Sequence, residues 1–177
     1  MNEPGIRPWM KAATFAAWKH RHQLRKDGKT PYIAHPFRVA MIVRETFGCD
    51  DAEVLAAALL HDTIEDTITD YDEIHLNFGE KVAMLVSALT KNMSMPEAQR
   101  EDAYDRQLAA APWEARLIKL ADVFDNITDA PTPAMEAKAR DKVRRAVALA
   151  ENDTRLALAV RLVNEQCDWC KKPELPS

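Results

Sequence analysis

Four ionisable residues crowd six positions in the stretch Leu59-Leu60-His61-Asp62-Thr63-Ile64-Glu65-Asp66, directly after the apolar run Val54-Leu55-Ala56-Ala57-Ala58. Such a run predicts a buried helix, here over residues 52–67, capped by Asp50 or Asp51. On a helix His61 meets Glu65 and Asp62 meets Asp66, each pair one turn apart. Burying these charges costs several kcal/mol apiece unless they are paired or bind a cation. Two further interruptions match. His35 stands between Ala34 and Pro36 at the head of an apolar series, and Asp122 breaks the face of Leu117-Ile118-Lys119-Leu120-Ala121. Two imidazoles and two carboxylates make a mixed nitrogen–oxygen set that suits Mn, Fe, Co or Zn and leaves positions for water and substrate. A cation so held lowers the pKa of bound water. Glu65 is placed either as a general base or as the group that holds the His61 tautomer.

Longer strings narrow this. Arg25-Lys26, Thr30-Pro31-Tyr32-Ile33-Ala34-His35-Pro36, Leu60-His61-Asp62-Thr63-Ile64-Glu65-Asp66-Thr67 and Lys119-Leu120-Ala121-Asp122 followed by Asn126 resemble the HD metal-dependent phosphohydrolases. Within that superfamily they resemble the hydrolase domain of the RelA/SpoT family over residues 8–150. With no synthetase or regulatory segment in view, the chain is similar to the small alarmone hydrolases of the Mesh1-like branch. The resemblance implies one Mn²⁺ on His35, His61, Asp62 and Asp122, with Glu65 and Asp66 orienting and deprotonating the attacking water. The implied substrate is a small nucleotide, guanosine 3′-pyrophosphate 5′-di- or triphosphate, which loses pyrophosphate from its 3′ position. Another HD phosphohydrolase, acting on a nucleotide monophosphate or on the 2′-phosphate of NADPH, is the alternative.

The substrate side follows the same resemblance. Residues 19–29 carry a local charge of +4 in a chain whose net is −4, which leaves −8 elsewhere. Arg25 is expected near the base, Lys26 at the phosphates and Asn126 at the ribose or base; Lys119 either pairs with a site carboxylate or touches substrate. Two positions depart from the family. Pro96-Glu97 replaces a proline followed by lysine, with Arg100 as the substitute cation, and Ala146 stands where a tyrosine holds a phosphate, with Arg144 and Arg145 beside it. Looser discrimination at the 5′ end is the expected consequence.

The elements that must position these residues read as helices throughout. Twenty-eight alanines and only four glycines favour helix and cannot build a G-x-G-x-x-G turn or a P-loop, which excludes Rossmann and Walker-type nucleotide binding. Apolar spacing predicts helices over about 6–25, 31–48, 52–67, 70–78, 80–91, 97–110, 113–128, 134–150 and 153–169. The fold expected is all-α, an HD-domain bundle of about eight or nine helices, with residues 1–170 as a single domain and 171–177 as a tail. The acidic balance argues against nucleic acid as a partner, and no stretch reaches the roughly 20 apolar residues of a membrane span. Three cysteines are too few for a disulfide framework, and the N-terminus lacks a secretory pattern, so a cytoplasmic setting is expected. Cys167-x-x-Cys170 reads as two ordinary thiols, and His20, His22 and His75 as surface residues.

Overall fold

The computed structural model describes residues 7–128 and 132–169, apart from the side chains of residues 97, 98, 133 and 169. Cys170 and the expected tail, 171–177, lie outside the described residues. Ten α-helical segments follow in order: α1 (Pro8–Lys19), α2 (Ala34–Met41), α3 (Ala52–Leu60), α4 (Thr63–Asp66), α5 (Tyr71–Phe78), α6 (Glu80–Leu89), α7 (Glu97–Ala110), α8 (Trp113–Thr128), α9 (Pro133–Ala150) and α10 (Ala157–Trp169). Counting the single turn α4 with α3 gives nine helices among the described residues, within the eight or nine expected. Among the described residues the only β-type pairing is an isolated bridge between Leu24 and Pro31. No described helix is long and apolar enough to cross a membrane.

α3 is the axis of the molecule. Every residue from Val54 to Leu60 is buried, as expected for a helix apolar on all faces. Full burial of each Val or Leu there is worth about 1.5–3 kcal/mol. Alanines set the spacing: Ala12 and Ala16 of α1 are fully buried where that helix lies on α3, whose own Ala56, Ala57 and Ala58 are also fully buried. Asp51 caps α3 by accepting the backbone N–H groups of Glu53 and Val54. α2, α6 and α8 pack around the same helix. α8 buries nine of its residues, and two of those are acids, Asp122 and Asp125.

Three boundaries differ from the sequence reading, each for a local reason. The first helix stops at Lys19, because His20 turns the chain and its Nδ1 and carbonyl engage the Gln23 side chain and N–H. The second helix, expected from residue 31, begins only at Ala34, because the Thr30 N–H and hydroxyl both go to Asp27 in a turn closed by Gly28 at φ +69°. The helix expected over 52–67 breaks at His61–Asp62. His61 Nδ1 donates to the Ala58 carbonyl at 2.8 Å and the Thr63 hydroxyl to the Leu60 carbonyl at 2.6 Å. Side chains thereby take acceptors that a continuing helix would give to backbone N–H groups.

Candidate metal centre

Three elements converge on one point. α2 brings His35, the α3–α4 break brings His61 and Asp62, and α8 brings Asp122. His35 Nε2 lies 3.3 Å from Asp122 Oδ1 and 3.5 Å from Asp62 Oδ2. His61 Nε2 lies 3.1 Å from Asp62 Oδ2 and 4.0 Å from Asp122 Oδ1. Donors bound at about 2.1 Å to one cation stand roughly 3.0–3.5 Å apart at right or tetrahedral angles, so this spacing fits a shared ion.

The tautomers fit as well. His61 Nδ1 gives its proton to Ala58 and His35 Nδ1 donates to Asp125 Oδ2 at 2.6 Å. Each imidazole therefore turns Nε2 toward the carboxylates, and His61 Nε2 is a buried atom with no hydrogen-bond partner among the described residues. Opposed lone pairs and carboxylates repel unless a proton or a cation lies between them. The protonation pattern reports that field. Burial pushes His35 down, yet its hydrogen bonds to Asp122 and Asp125 and the nearby charge of Asp62 carry its pKa up to about 9. Asp122 is held well below the carboxylate range, against its burial, chiefly by Lys119 and His35. The residues present fit a divalent cation.

Around the four donors stands a layer of supporting groups. The Tyr32 hydroxyl lies 2.6 Å from Asp62 Oδ2 and 3.1 Å from Asp66 Oδ2, so one proton serves two acids. Lys119 Nζ donates to Asp122 Oδ2 at 2.7 Å, and Asn126 Nδ2 to Asp122 Oδ1 at 2.5 Å. Glu65 Oε2 accepts the Lys91 backbone N–H at 2.9 Å. Burial, then the charge of Asp62, raises the pKa of both Glu65 and Asp66. Since His61 Nδ1 is bonded to Ala58, Glu65 is not the group that sets its tautomer.

The other sequence candidates divide. Arg25 Nη2 donates to Asn126 Oδ1 at 3.2 Å, which ties the basic loop to Asp122 through Asn126. Lys26 is exposed. Arg100 donates to the Met95 carbonyl and so braces the loop between α6 and α7. Arg144 is paired with Asp141, and Arg145 with Asp102 and Asp105. Arg145 also lines a shallow pocket shared with Lys91, Lys119 and Lys142, the acids Glu101 and Asp105, and Tyr104 and Ala146; Lys91 is paired there with Glu101 at 2.6 Å. The Lys91 and Lys119 ammoniums lie 5.2 Å and 5.4 Å from the Tyr104 ring centre. The side chain of Glu97 lies outside those described. His20 is a correction: it is 2% exposed and packs its ring 4.9 Å from Tyr32. Asp125 was missed, although an acid three positions after Asp122 on an apolar face was a visible signal. Arg38, the partner of Asp125, gave none.

A fold of this kind around a His/Asp cluster defines an HD-type metal-dependent phosphohydrolase, and residues 12–162 match the HD domain family model. The chain belongs to that family. It is 46% identical over 121 residues, 68% of each chain, to the human guanosine-3′,5′-bis(diphosphate) 3′-pyrophosphohydrolase MESH1. It is 43% identical over 120 residues to the Aquifex aeolicus guanosine-3′,5′-bis(diphosphate) 3′-pyrophosphohydrolase, which covers 66% of this chain and 17% of that one. A solved structure of a metazoan ortholog of SpoT that hydrolyzes ppGpp superposes with a TM-score of 0.79 at 30% identity, over 94% of this chain and 98% of the other.

Proposed function

We propose that this chain removes the 3′-pyrophosphate of guanosine 3′,5′-bis(diphosphate)-type nucleotides, yielding GDP or GTP and pyrophosphate. The proposal gives it one Mn²⁺, held by His35, His61, Asp62 and Asp122. The observation that carries the reading is the single turn of α4. It sets Glu65 and Asp66 within one turn of the His61–Asp62 donors, in a chain 46% identical to a hydrolase of that name. Two imidazoles disfavour hard, oxygen-seeking Mg²⁺ and favour a borderline ion such as Mn²⁺. A divalent cation so held lowers the pKa of water toward neutrality and offsets charge on phosphoryl oxygens.

The side chains supply the rest. Glu65 has Oε2 committed to the Lys91 N–H, so Oε1 is the atom that takes the proton from the attacking water. A carboxyl raised toward neutrality is a better-matched base. Asp66, steadied by Tyr32, orients that water. Lys91, Lys119 and Lys142 bear phosphate charge on one side of the centre. Arg25 and Asn126 meet the nucleoside on the other, Lys26 lies on the approach of the phosphates, and Arg100 acts by holding its loop. Residues 1–170 are taken as one hydrolase domain with 171–177 as tail. The enzyme is assigned to the cytoplasm, with a small nucleotide rather than nucleic acid or membrane as its partner.

The test is a product assay on the purified chain with 3′-pyrophosphorylated guanine and adenine nucleotides, nucleoside monophosphates and NADPH, with and without Mn²⁺. Release of pyrophosphate from the 3′ position is expected. Turnover confined to another phosphoester would sink the assignment.

A further inference from the structure

We propose that Asp125 is a positioning residue for His35, locked in place by Arg38, and that it sets the affinity of the site for its cation. The inference rests on the metal-dependent reading of the centre, and not on which nucleotide is cleaved.

Asp125 lies on α8, three positions past Asp122, and its side chain is 2% exposed. A carboxylate buried to that degree is costly unless its oxygens are matched by charge and hydrogen bonds. Here both are matched. Oδ2 accepts from His35 Nδ1 at 2.6 Å and from Arg38 Nη2 at 3.0 Å, and Oδ1 accepts from Arg38 Nε at 2.5 Å. The Arg38 fork alone would balance the charge, so the third bond, to His35, is the informative one. It fixes the ring plane, keeps the Nδ1 proton in place, and leaves Nε2 facing Asp62 and Asp122. A charged acceptor behind an imidazole also makes its free nitrogen a stronger donor.

The two imidazoles are held by different means. His61 rests on the Ala58 carbonyl, a neutral backbone group that no substitution removes. His35 rests on a side-chain carboxylate. Only one of the two nitrogen donors therefore has its strength and direction set by a replaceable residue. Arg38 reaches the surface, with 40% of its side chain exposed, so the lock can be opened without emptying the core. Arg25 Nη2 stands 3.8 Å from the same Asp125 Oδ2, which puts the basic loop in the same charge network.

The experiment measures Mn²⁺ binding to chelator-stripped full-length protein by calorimetry and by the signal of free Mn²⁺ in electron paramagnetic resonance. Wild type, Asp125→Asn and Arg38→Gln are compared, each with its helical circular dichroism and metal-free melting temperature. Asp125→Asn keeps the shape and loses the charge, and its Kd for Mn²⁺ is expected to rise roughly 10–100-fold, with turnover restored by excess metal. Arg38→Gln, which leaves the carboxylate but frees it to turn, is expected to raise Kd by about 3–10-fold. A merely structural role would lower the melting temperature and leave Kd alone; unchanged Kd in folded Asp125→Asn overturns the proposal. Should that variant fail to fold, unchanged Kd in Arg38→Gln overturns it instead. Wild type that binds no Mn²⁺ would bring down the metal reading and this inference together. Intact Mn²⁺ binding without alarmone turnover would strike only the substrate assignment.

Discussion

Lys119 and Asp122, three positions apart on one helix, are joined by a 2.7 Å bond between Nζ and Oδ2. The other oxygen, Oδ1, points to the two imidazoles. The lysine is thus within one carboxylate of the metal centre while also lining the basic pocket. Its charge serves both the acid and any phosphate bound alongside. Lys119→Met is expected to raise KM about tenfold or more, as for loss of a charged hydrogen bond, and to weaken Mn²⁺ binding as well, because it also frees Asp122. Steady-state kinetics paired with Mn²⁺ titration would show it; weakened metal with unchanged KM would contradict it.

Metal removal should silence the enzyme. Exhaustive chelation is expected to abolish turnover, Mn²⁺ to restore it better than Mg²⁺, and Asp122→Ala to lose bound metal and activity together. Full activity in stripped protein, checked by elemental analysis, would be incompatible with the assignment.

Binding and proton transfer should separate at α4. Glu65→Gln or Asp66→Asn is expected to keep metal and nucleotide binding while kcat falls roughly 10²–10⁴-fold, the usual worth of a general base. Near-normal kcat in both would move water activation elsewhere.

The acid limb of the pH profile has a definite sign. Burial and the charge of Asp62 raise Glu65 above the ordinary 4.5 of its type. The base form exists only above that raised pKa, so at saturating metal kcat should fall as pH drops through it. The limb should lie above 4.5 and disappear in Glu65→Gln. A limb that survives unchanged in that variant belongs to another group.

The basic pocket predicts selectivity. Among the described residues no ion pair or hydrogen bond engages Lys142, whose pKa is lowered by desolvation and then by Lys119 and Lys91. A bound phosphate would relieve that crowding. Lys142→Glu is expected to raise KM for 5′-di- and triphosphates about 5–10-fold, the worth of one partly screened charge, and to change 5′-monophosphates less. An equal effect on all three would remove Lys142 from the 5′ end.

Much of this protein was legible before folding. Alanine-rich apolar spacing specifies helices, and helices with one or more apolar faces must pack on one another, so the all-α class follows from local pattern. The types of His35, His61, Asp62 and Asp122 pointed to a candidate cation site because acids and imidazoles at core positions are too costly to stand there idle. Glu65 was legible as one turn from His61, even though the helix expected to carry both is broken between them. The side-chain bonds that break it, His61 to Ala58 and Thr63 to Leu60, are short-range but compete with backbone bonds on terms that sequence spacing does not reveal.

What only the tertiary structure decided are relations between residues far apart in the chain. Asp125 and His35 are 90 positions apart, Glu65 and the Lys91 N–H 26, Arg25 and Asn126 101. Periodicity says which face of a helix is buried, but not which residue of another helix waits there. That choice is made by how α2 and α8 cross the α3 axis. The same holds for the cations. Sequence proximity nominated Arg100, Arg144 and Arg145; packing gives Arg100 the Met95 carbonyl and Arg144 the Asp141 carboxylate, and brings Arg145, paired with Asp102 and Asp105, to a pocket with Lys91, Lys119 and Lys142. A charge is satisfied by whichever opposite group lies nearest in space, and sequence distance does not enter that energy.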